Sequence, residues 1–386
     1  MDSQGLGLSD VLNSIVGTDG LLLGTIIPFL FVLTVVVFVH EMGHYLVGRW
    51  CGIGVKAFSI GFGPELVGFN DRRGTRWKLC AVPLGGYVKF AGDMNATSTP
   101  DPDEIAALTE AERKVAFHTQ PVWKRALTVA AGPVFNFLLT ILVFTVLFTA
   151  YGRPVADPVV AEIMPGSAAE AAGFKPGDRF VSVDGVKVET FADVQRHVSG
   201  RAEDPLVFVM LRDGQEVTMT ATPRFTEQKD GLGNTIKVGI IGVVSNEQVG
   251  KYRVVSYGPV QAVGEAIKET GQIISRTGQF LKRFAFGRED KCQLGGPVKI
   301  AKMSGQAAQL GFLWLVQLVA LLSVGIGFLN LLPIPPLDGG HLVFYGIEAV
   351  MRRPVTERVM DAVYRVGMFA VLLFMGFVIY NDVFAC

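Results

Sequence analysis

The sequence predicts a polytopic α-helical membrane protein with about four transmembrane helices, a membrane-associated β-hairpin and an inserted α/β domain. Half of the 386 residues are hydrophobic and only 18% are charged, which is too apolar for an ordinary soluble protein. Long charge-free stretches alternate with polar stretches that contain strand-like patterns. The charge-free stretches therefore predict membrane spans, and the polar stretches predict parts outside the membrane.

The first predicted span carries a histidine–glutamate motif near its end. A charge-free, largely apolar run from Leu21 leads into His40-Glu41-Met42-Gly43-His44, and the helix is expected to reach about Cys51. No Lys or Arg precedes Arg49, so the basic region of a cleavable signal peptide is missing. Residues 1–52 are therefore predicted to be an N-terminal tail and a retained transmembrane helix.

The spacing of this motif predicts a metal site. His40 and His44 are four positions apart, which places both imidazoles on one face of a helix. Two such imidazoles can hold one Zn²⁺, and Glu41 beside them can act as a general base toward water. The alternative is a pair of core histidines in a soluble helix. Ionisable groups inside an apolar span usually serve a function, which favours the metal site.

Residues 53–122 are polar and basic-leaning, and they predict a cytoplasmic-side β-hairpin followed by a loop. Two strand-like runs, 58–62 and 77–82, flank a polar turn. Gly85 and Gly86 allow another chain to approach closely, so the hairpin could offer a strand edge to an extended peptide. An ordinary surface hairpin is an equally open interpretation.

The second predicted transmembrane helix spans residues 123–152. It follows a predicted loop at 95–112, which is rich in Thr, Pro, Asp and Glu. No charge occurs from Ala126 to Gly152. Asn136 lies within this span and is expected to face the interior of the helix bundle, because a polar side chain in hydrocarbon needs a partner.

Residues 153–245 alternate short strand-like and helical runs and predict an extracytoplasmic α/β domain. The turn Gly173-Phe174-Lys175-Pro176-Gly177-Asp178, followed by Val183-Asp184-Gly185, resembles a PDZ domain, which binds peptide ends by adding a strand. A small β-rich domain without a ligand is the alternative. The connector 246–308 contains an amphipathic helix, which could lie on a membrane surface or pack on the neighbouring domain.

Residues 309–345 hold the third predicted transmembrane helix and a proline-rich motif. The three prolines between Asn330 and Asp338 forbid a regular helix, so protein or a water-filled cavity must shield the backbone there. Asp338 is the expected third zinc ligand, since two His and one carboxylate leave a fourth coordination position open, and His341 is its rival. Residues 346–386 are predicted to be a cytoplasmic loop and a fourth transmembrane helix.

Charge asymmetry predicts the orientation of the chain. Lys and Arg occur in the connections 49–125 and 339–365, whereas neither terminus carries any. By the positive-inside rule these connections are cytoplasmic, and both termini and the 153–245 domain are extracytoplasmic. The His-Glu motif and Asp338 then lie toward the cytoplasmic side. The four cysteines show no paired spacing, so neither a disulfide framework nor a cysteine zinc site is predicted.

Several motifs occur together in one order along the chain: His40-Glu41-Met42-Gly43-His44, Gly61-Phe62-Gly63-Pro64, Pro83-Leu84-Gly85-Gly86-Tyr87, Gly132-Pro133 with Asn136, and Asn330 through Gly340. With one PDZ-like domain after the second span, the whole chain resembles a site-2 protease. The resemblance is specifically to the bacterial regulator-of-sigma-E type, here with a single PDZ domain.

This resemblance implies an intramembrane zinc metalloprotease of the bacterial inner membrane. The family hydrolyses peptide bonds within transmembrane segments of membrane-bound regulators, such as an anti-sigma factor that another protease has already trimmed. That process is regulated intramembrane proteolysis. The implied site residues are the zinc ligands His40, His44 and Asp338, the general base Glu41, and the substrate-binding residues Asn330, Gly85, Gly86 and Tyr87.

The implied partners are a single-pass transmembrane substrate, an upstream site-1-type protease that acts on the same substrate, a peptide C-terminus at the PDZ-like domain and the lipid bilayer. No nucleic acid is expected. Two other functions fit parts of the pattern. A PDZ-bearing scaffold or metal carrier would use the same ligands without needing Glu41. A membrane-anchored protease for soluble peptides would carry the motif outside the apolar run, unlike this chain.

Overall fold

A computed structural model describes residues 21–93, 109–229, 235–245, 253–287, 289 and 291–385. Its helices are α1 (Ile27–Trp50), α2 (Glu110–Arg113), α3 (Val122–Ala150), α4 (Ala168–Ala171), α5 (Phe191–Ser199), α6 (Pro259–Ala285), α7 (Pro297–Leu310), α8 (Phe312–Asn330), α9 (Asp338–Met351) and α10 (Glu357–Tyr380). Most of the predicted 95–112 loop lies outside the described residues.

The strands are short except for the first two. They are β1 (Val55–Asn70), β2 (Arg76–Phe90), β3 (Arg153–Val155), β4 (Val160–Ile163), β5 (Arg179–Val183), β6 (Val186–Lys187), β7 (Leu206–Arg212), β8 (Gln215–Ala221), β9 (Arg224–Lys229), β10 (Thr235–Ile240), β11 (Val243–Ser245) and β12 (Arg253–Val255). Irregular helical turns are Leu21–Ile26, Lys291–Gln293 and Asn381–Ala385.

Four stretches among the described residues are long and apolar enough to cross a membrane. They are Leu22–Trp50, Val122–Ala150, Phe312–Asn330 and Arg358–Ala385. The prediction of a polytopic helical protein with about four spans is therefore confirmed.

The chain divides into two compact units. The first comprises Met1–Phe144, Glu265–Ser275 and Gly295–Tyr380, and the second comprises Thr145–Gly264, Arg276–Leu294 and Asn381–Cys386. All eight residues that the sequence proposes for the site belong to the first unit.

Helix α1 organises the first unit through one buried face. Its proline lies in the first turn, where a missing backbone N–H does no harm. Buried positions then recur every three or four residues, as an amphipathic helix requires: Val32, Val36, His40, Gly43, His44 and Gly48. Val32 and Val36 pack against Leu315, Leu318 and Val319 of α8. The same face is thus apolar in its first half and carries the histidines in its second half.

Strands β1 and β2 pair antiparallel and fold back on themselves. The segment Ala57–Ile60 has partners on both sides, one row at Gly86–Lys89 and another at Arg76–Leu79. Gly61 and Gly63, which follow this segment in β1, both adopt φ of +85°, a conformation that other residues rarely adopt. Phe58 stacks on Trp77 and is buried against Tyr45 of α1. The hairpin is therefore anchored to the helix that carries the His-Glu motif.

The second unit contains a small domain with its own core. Strands β6, β5, β7 and β8 form one antiparallel sheet in that order, and β7 and β8 are joined by Asp213-Gly214, both with positive φ. Two consecutive positive φ angles are typical of a tight hairpin turn. The core is built by fully buried side chains, including Phe180, Phe208 and Met210. Helix α5 begins with a reciprocal Thr190–Asp193 cap.

Two features of the chain were not predicted from the sequence. Helix α9 begins at Asp338, directly after the irregular residues 331–337, in a region expected to lack a regular helix and then form a loop. A Cβ at Gly340 would lie 2.8 Å from Pro335 N, so only glycine lets the helix start this close to the prolines. In addition, Cys292 is disulfide-bonded, although the cysteine spacing indicated no disulfide.

Candidate metal centre

Three ionisable side chains from two helices converge inside the first unit. His40 and His44 lie in α1, and Asp338 is the first residue of α9. Asp338 Oδ2 lies 3.1 Å from His40 Nε2 and 3.5 Å from His44 Nε2, and the two Nε2 atoms are 3.2 Å apart. A tetrahedral zinc ion with bonds of about 2.0–2.2 Å requires ligand atoms about 3.3 Å apart. The observed triangle has the size of one face of such a site.

The chemistry of these atoms also fits a cation. Asp338 Oδ2 is buried and forms no hydrogen bond, although two imidazoles lie beside it. A buried carboxylate oxygen without a donor is costly, and a metal ion would satisfy it. Within the described part of the chain, this is the one group of three or more His, Cys, Asp or Glu residues whose ligand atoms lie close enough together to hold a metal ion.

His44 is held in the tautomer that a metal ligand needs. Its Nδ1 lies 2.9 Å from the carbonyl oxygen of Thr128 in α3. Because a carbonyl oxygen can only accept, Nδ1 donates the hydrogen bond and Nε2 keeps a lone pair for the metal. The main chain of α3 thereby orients one of the two imidazoles.

Strand β2 lies directly against Glu41. The backbone N–H of Val88 donates a hydrogen bond to the Glu41 carboxylate. A Cβ at Gly86 would lie 3.2 Å from Glu41 Cγ and 2.7 Å from the carbonyl oxygen of Ser59. Glycine at this position therefore allows the hairpin to approach the motif closely enough to hold its carboxylate.

Helix α3 passes over the two imidazoles at Gly132. A Cβ at this position would lie 2.8 Å from His40 Nε2 and closer still to His44 Nε2. Gly132 was not among the site residues predicted from the sequence, although a Gly-Pro pair within a charge-free span was a usable signal of close helix packing. Thr128 and Val88 were also missed. They act through main-chain atoms, for which the sequence carries no signal.

The structure favours Asp338 over His341 as the third metal ligand. Nδ1 of His341 lies 2.7 Å from the hydroxyl group of Tyr364 in α10. His341 is one helical turn beyond Asp338 and does not belong to the group that could hold a metal.

The four predicted substrate-binding residues lie at the hairpin and at the end of α8. Asn330 is the last residue of α8. Gly85 adopts φ of +128° in β2, and the ring of Tyr87 stacks on Phe62 with centroids 6.0 Å apart. Gly86 lies against Glu41. Their roles toward a substrate remain predictions.

The arrangement fits the class of membrane metalloproteases. Two histidines and a glutamate lie in a helix long and apolar enough to cross a membrane, and an aspartate from a second helix meets the histidines. The model of peptidase family M50 matches residues 28–374. A protein of Mesorhizobium japonicum named as a zinc metalloprotease is 73% identical over 365 residues, which cover 94% of this chain and 100% of that protein. Metalloprotease MmpA of Caulobacter vibrioides is 40% identical over 379 residues, covering 92% of this chain and 94% of that protein.

The chain belongs to peptidase family M50, the site-2 protease family. A further relative, from Brucella suis and also named as a zinc metalloprotease, is 63% identical over 379 residues that cover 98% of this chain and 100% of that protein. The predicted family, enzyme class and zinc cofactor are therefore confirmed, and the protein is a multi-pass membrane metalloprotease.

Proposed function

We propose that this metalloprotease hydrolyses peptide bonds within the transmembrane segments of single-pass regulatory proteins. One observation carries the proposal: two of the three residues that could hold the metal, His40 and His44, lie within a helix long and apolar enough to cross a membrane. A protease for soluble peptides has no need of a site in such a helix, because ionisable groups there are costly to bury.

In the proposed reaction, His40, His44 and Asp338 hold the zinc ion. Zinc bound in such a site polarises a carbonyl group and makes water more acidic. Glu41 accepts the proton of the attacking water as general base and delivers it to the leaving amine as general acid. The hydrogen bond from Val88 N–H keeps the Glu41 carboxylate oriented for both transfers.

Strand β2 is suited to hold an unwound substrate next to Glu41. Backbone groups alternate in direction along a strand, so Gly86 directs its N–H and C=O to the same side as Val88, whose N–H reaches Glu41. A substrate helix must lose hydrogen bonds before its carbonyls can be attacked, and pairing with a strand edge would replace some of them. Gly85, Tyr87 and Asn330 would supply further contacts to the substrate.

Exposed apolar residues of the hairpin support its association with the membrane. Leu66, Val67 and Phe69 of β1 are 64%, 67% and 62% exposed, and Leu84 of β2 is 52% exposed. Clusters of large exposed apolar residues mark membrane or partner contacts rather than ordinary protein surface. A hairpin immersed in the lipid interface would meet a transmembrane substrate where the catalytic residues lie.

We further propose a bacterial inner-membrane location with the metal centre toward the cytoplasm, and with both termini and the 153–245 domain outside. The distribution of Lys and Arg supports this orientation. The disulfide at Cys292 fits an oxidising compartment. The substrate would be an anti-sigma-type regulator that a site-1-type protease has trimmed, and the 153–245 domain would bind a peptide C-terminus as PDZ domains do.

The test is cleavage of a model single-pass protein by the purified full chain in liposomes, with the cut located by mass spectrometry. We expect a cut inside the apolar span, inhibition by a zinc chelator and recovery when zinc is added back. A matched substrate with its central glycines changed to leucine should be cut more slowly, because its helix unwinds less readily. Cuts confined to the flanking soluble segments would contradict the intramembrane proposal.

A further inference from the structure

Asn136 is a buried polar residue of α3 whose side chain contacts His40, one of the proposed metal ligands. It has no exposed surface, and its amide nitrogen lies 3.2 Å from Nδ1 of His40. Its amide oxygen is also buried and forms no hydrogen bond. Because a buried amide oxygen without a hydrogen-bond partner is unfavourable, the assignment of the two amide atoms has to be judged from what His40 requires.

The role of His40 requires the amide to be turned over. His40 directs Nε2 at His44 and Asp338, so a metal ligand at Nε2 must carry its proton on Nδ1. The protonated Nδ1 then needs an acceptor, and the side chain of Asn136 is what lies there. The oxygen and nitrogen of a carboxamide have nearly the same shape and are assigned from their hydrogen bonds. Exchanging them places the amide oxygen against Nδ1 of His40, where it accepts the proton.

The remainder of α3 supports this arrangement. Thr128, Gly132 and Asn136 are spaced four residues apart and lie on one face of the helix. Thr128 accepts the hydrogen bond from His44, Gly132 leaves room for both imidazoles, and Asn136 contacts His40. The same face of α3 therefore contacts the Nδ1 atom of both zinc-binding histidines.

Asn136 is also fixed in place by its neighbours. Its backbone oxygen accepts hydrogen bonds from Ser323 at 2.9 Å and Thr140 at 3.1 Å. A Cβ at Gly327 of α8 would lie 3.1 Å from the Cβ of Asn136, so the two helices are in close contact there. The side chain therefore has little freedom to leave His40.

We infer that Asn136 is a positioning residue whose side-chain oxygen accepts the Nδ1 proton of His40 and so fixes the tautomer and orientation in which His40 binds zinc. The inference rests on the metal centre proposed above. Partners that orient a metal-binding histidine in this way typically change metal affinity by about 10–100-fold when removed.

The test measures zinc affinity rather than proteolysis. The purified full chain in detergent is titrated with a chromogenic zinc chelator, and zinc retained is read at each step. Asn136→Leu keeps the size of the side chain but removes the acceptor, and we expect about 10–100-fold weaker zinc binding. Asn136→Asp keeps an acceptor oxygen and should bind zinc like the parent.

Ser304→Ala is the matched control, because Ser304 is a fully buried polar residue of another helix, α7, and its hydroxyl group donates a hydrogen bond of 2.8 Å to the carbonyl oxygen of Ile300. It should retain parental zinc affinity. Parental affinity in Asn136→Leu, or equal losses in the Leu and Asp variants or in the Leu and Ser304→Ala variants, would overturn the inference. His40→Ala serves as reference: if it too keeps zinc, the metal centre itself is wrong.

Discussion

Small residues determine how closely the elements approach the metal centre. A side chain at Gly43 would contact α3 at Phe135 Cγ, 2.9 Å away, and one at Gly132 would contact the imidazoles themselves. A side chain at Gly86 of the hairpin would likewise contact Val37 and Glu41 of α1. Each of these glycines lies at a close contact with the helix that carries His40, Glu41 and His44 or within it, and so allows the neighbouring element to come near these three side chains.

Gly86→Ala tests whether the hairpin orients Glu41. The new Cβ would lie 2.7 Å from the Ser59 oxygen and 3.0 Å from Val37 Cγ1, so β2 must shift away from α1. We expect the cleavage rate to fall by about 10-fold or more, because small misplacements of a catalytic group have large effects on rate. Zinc content should stay at the parental value, since no ligand moves.

Gly346→Ala is the control for this substitution, because a Cβ at Gly346 meets no atom within 4 Å. Alanine is also a better helix former than glycine, so the control should be at least as stable as the parent. Both variants are assayed for cleavage rate and, by elemental analysis, for zinc. Parental cleavage by Gly86→Ala would show that contact between the hairpin and Glu41 is unimportant.

The elements differ in how far their own sequence determines them. Helix α1 follows from its apolar sequence, and its observed end at Trp50 lies close to the predicted one near Cys51. Strands β7 and β8 flank the Asp213-Gly214 turn, whose residue types suit a tight hairpin. The start of helix α9 does not follow from such a local pattern, because it depends on the packing of Gly340 against Pro335 in the preceding loop. A contact of this kind between a loop and a helix leaves no periodic pattern in the sequence.

A buried ion pair stabilises the 153–245 domain. The guanidinium of Arg212 in β7 donates two hydrogen bonds of 2.7 Å to the carboxylate of Asp178, which is 1% exposed, and the N–H of Lys175 donates a third. Burial alone would raise the pKa of Asp178, but these hydrogen bonds outweigh it and hold the pKa below its usual range. Native Asp178 therefore stays ionised at a pH where the unfolded chain takes up a proton.

The pH dependence of this domain follows from the sign of that shift. A carboxyl group with a lowered native pKa stabilises the fold fully above its unfolded pKa of about 3.9, and the contribution is lost as the pH falls further. Asp178→Asn should therefore lower stability at pH 7, by about 1–3 kcal/mol, and its difference from the parent should shrink below about pH 4.

Hydrogen exchange of the β7 segment in the full chain measures this effect, once intrinsic exchange rates at each pH are taken into account. Asp204→Asn is the control, because the side chain of Asp204 is 56% exposed and lies 3.8 Å from Arg201 in a weak surface pair. Equal protection of β7 in the parent and in Asp178→Asn at pH 7 would contradict the role given to the ion pair.

For the molecule as a whole, the sequence predicted the spans, the family and the residues that meet at the metal centre. Asp338 is far from His40 and His44 in the sequence, but the proline-rich motif that precedes it was enough to indicate Asp338 as the third ligand. The support around the site could not be predicted, because it depends on tertiary contacts. For example, Arg125 Nη2 of α3 lies 2.6 Å from Glu348 Oε1 of α9, although the two residues are too far apart in the sequence for a local pattern to indicate the contact.

The central claim is that the metal centre is catalytic and that Glu41 acts as its base. A scaffold or metal carrier would have the same ligands, so the claim depends on separating metal binding from chemistry. Glu41→Gln keeps the size and polarity of the side chain but removes the base. His40→Ala and Asp338→Ala each remove a proposed ligand, and they serve as the matched comparison.

The most direct measurement is zinc content and cleavage of a single-pass substrate, determined on the same purified sample of Glu41→Gln. We expect full zinc content with a cleavage rate reduced by about 10²–10⁴-fold, the range typical of losing a general base. The two alanine variants should lose zinc together with activity. Cleavage by Glu41→Gln at the parental rate, with zinc retained, would contradict the account.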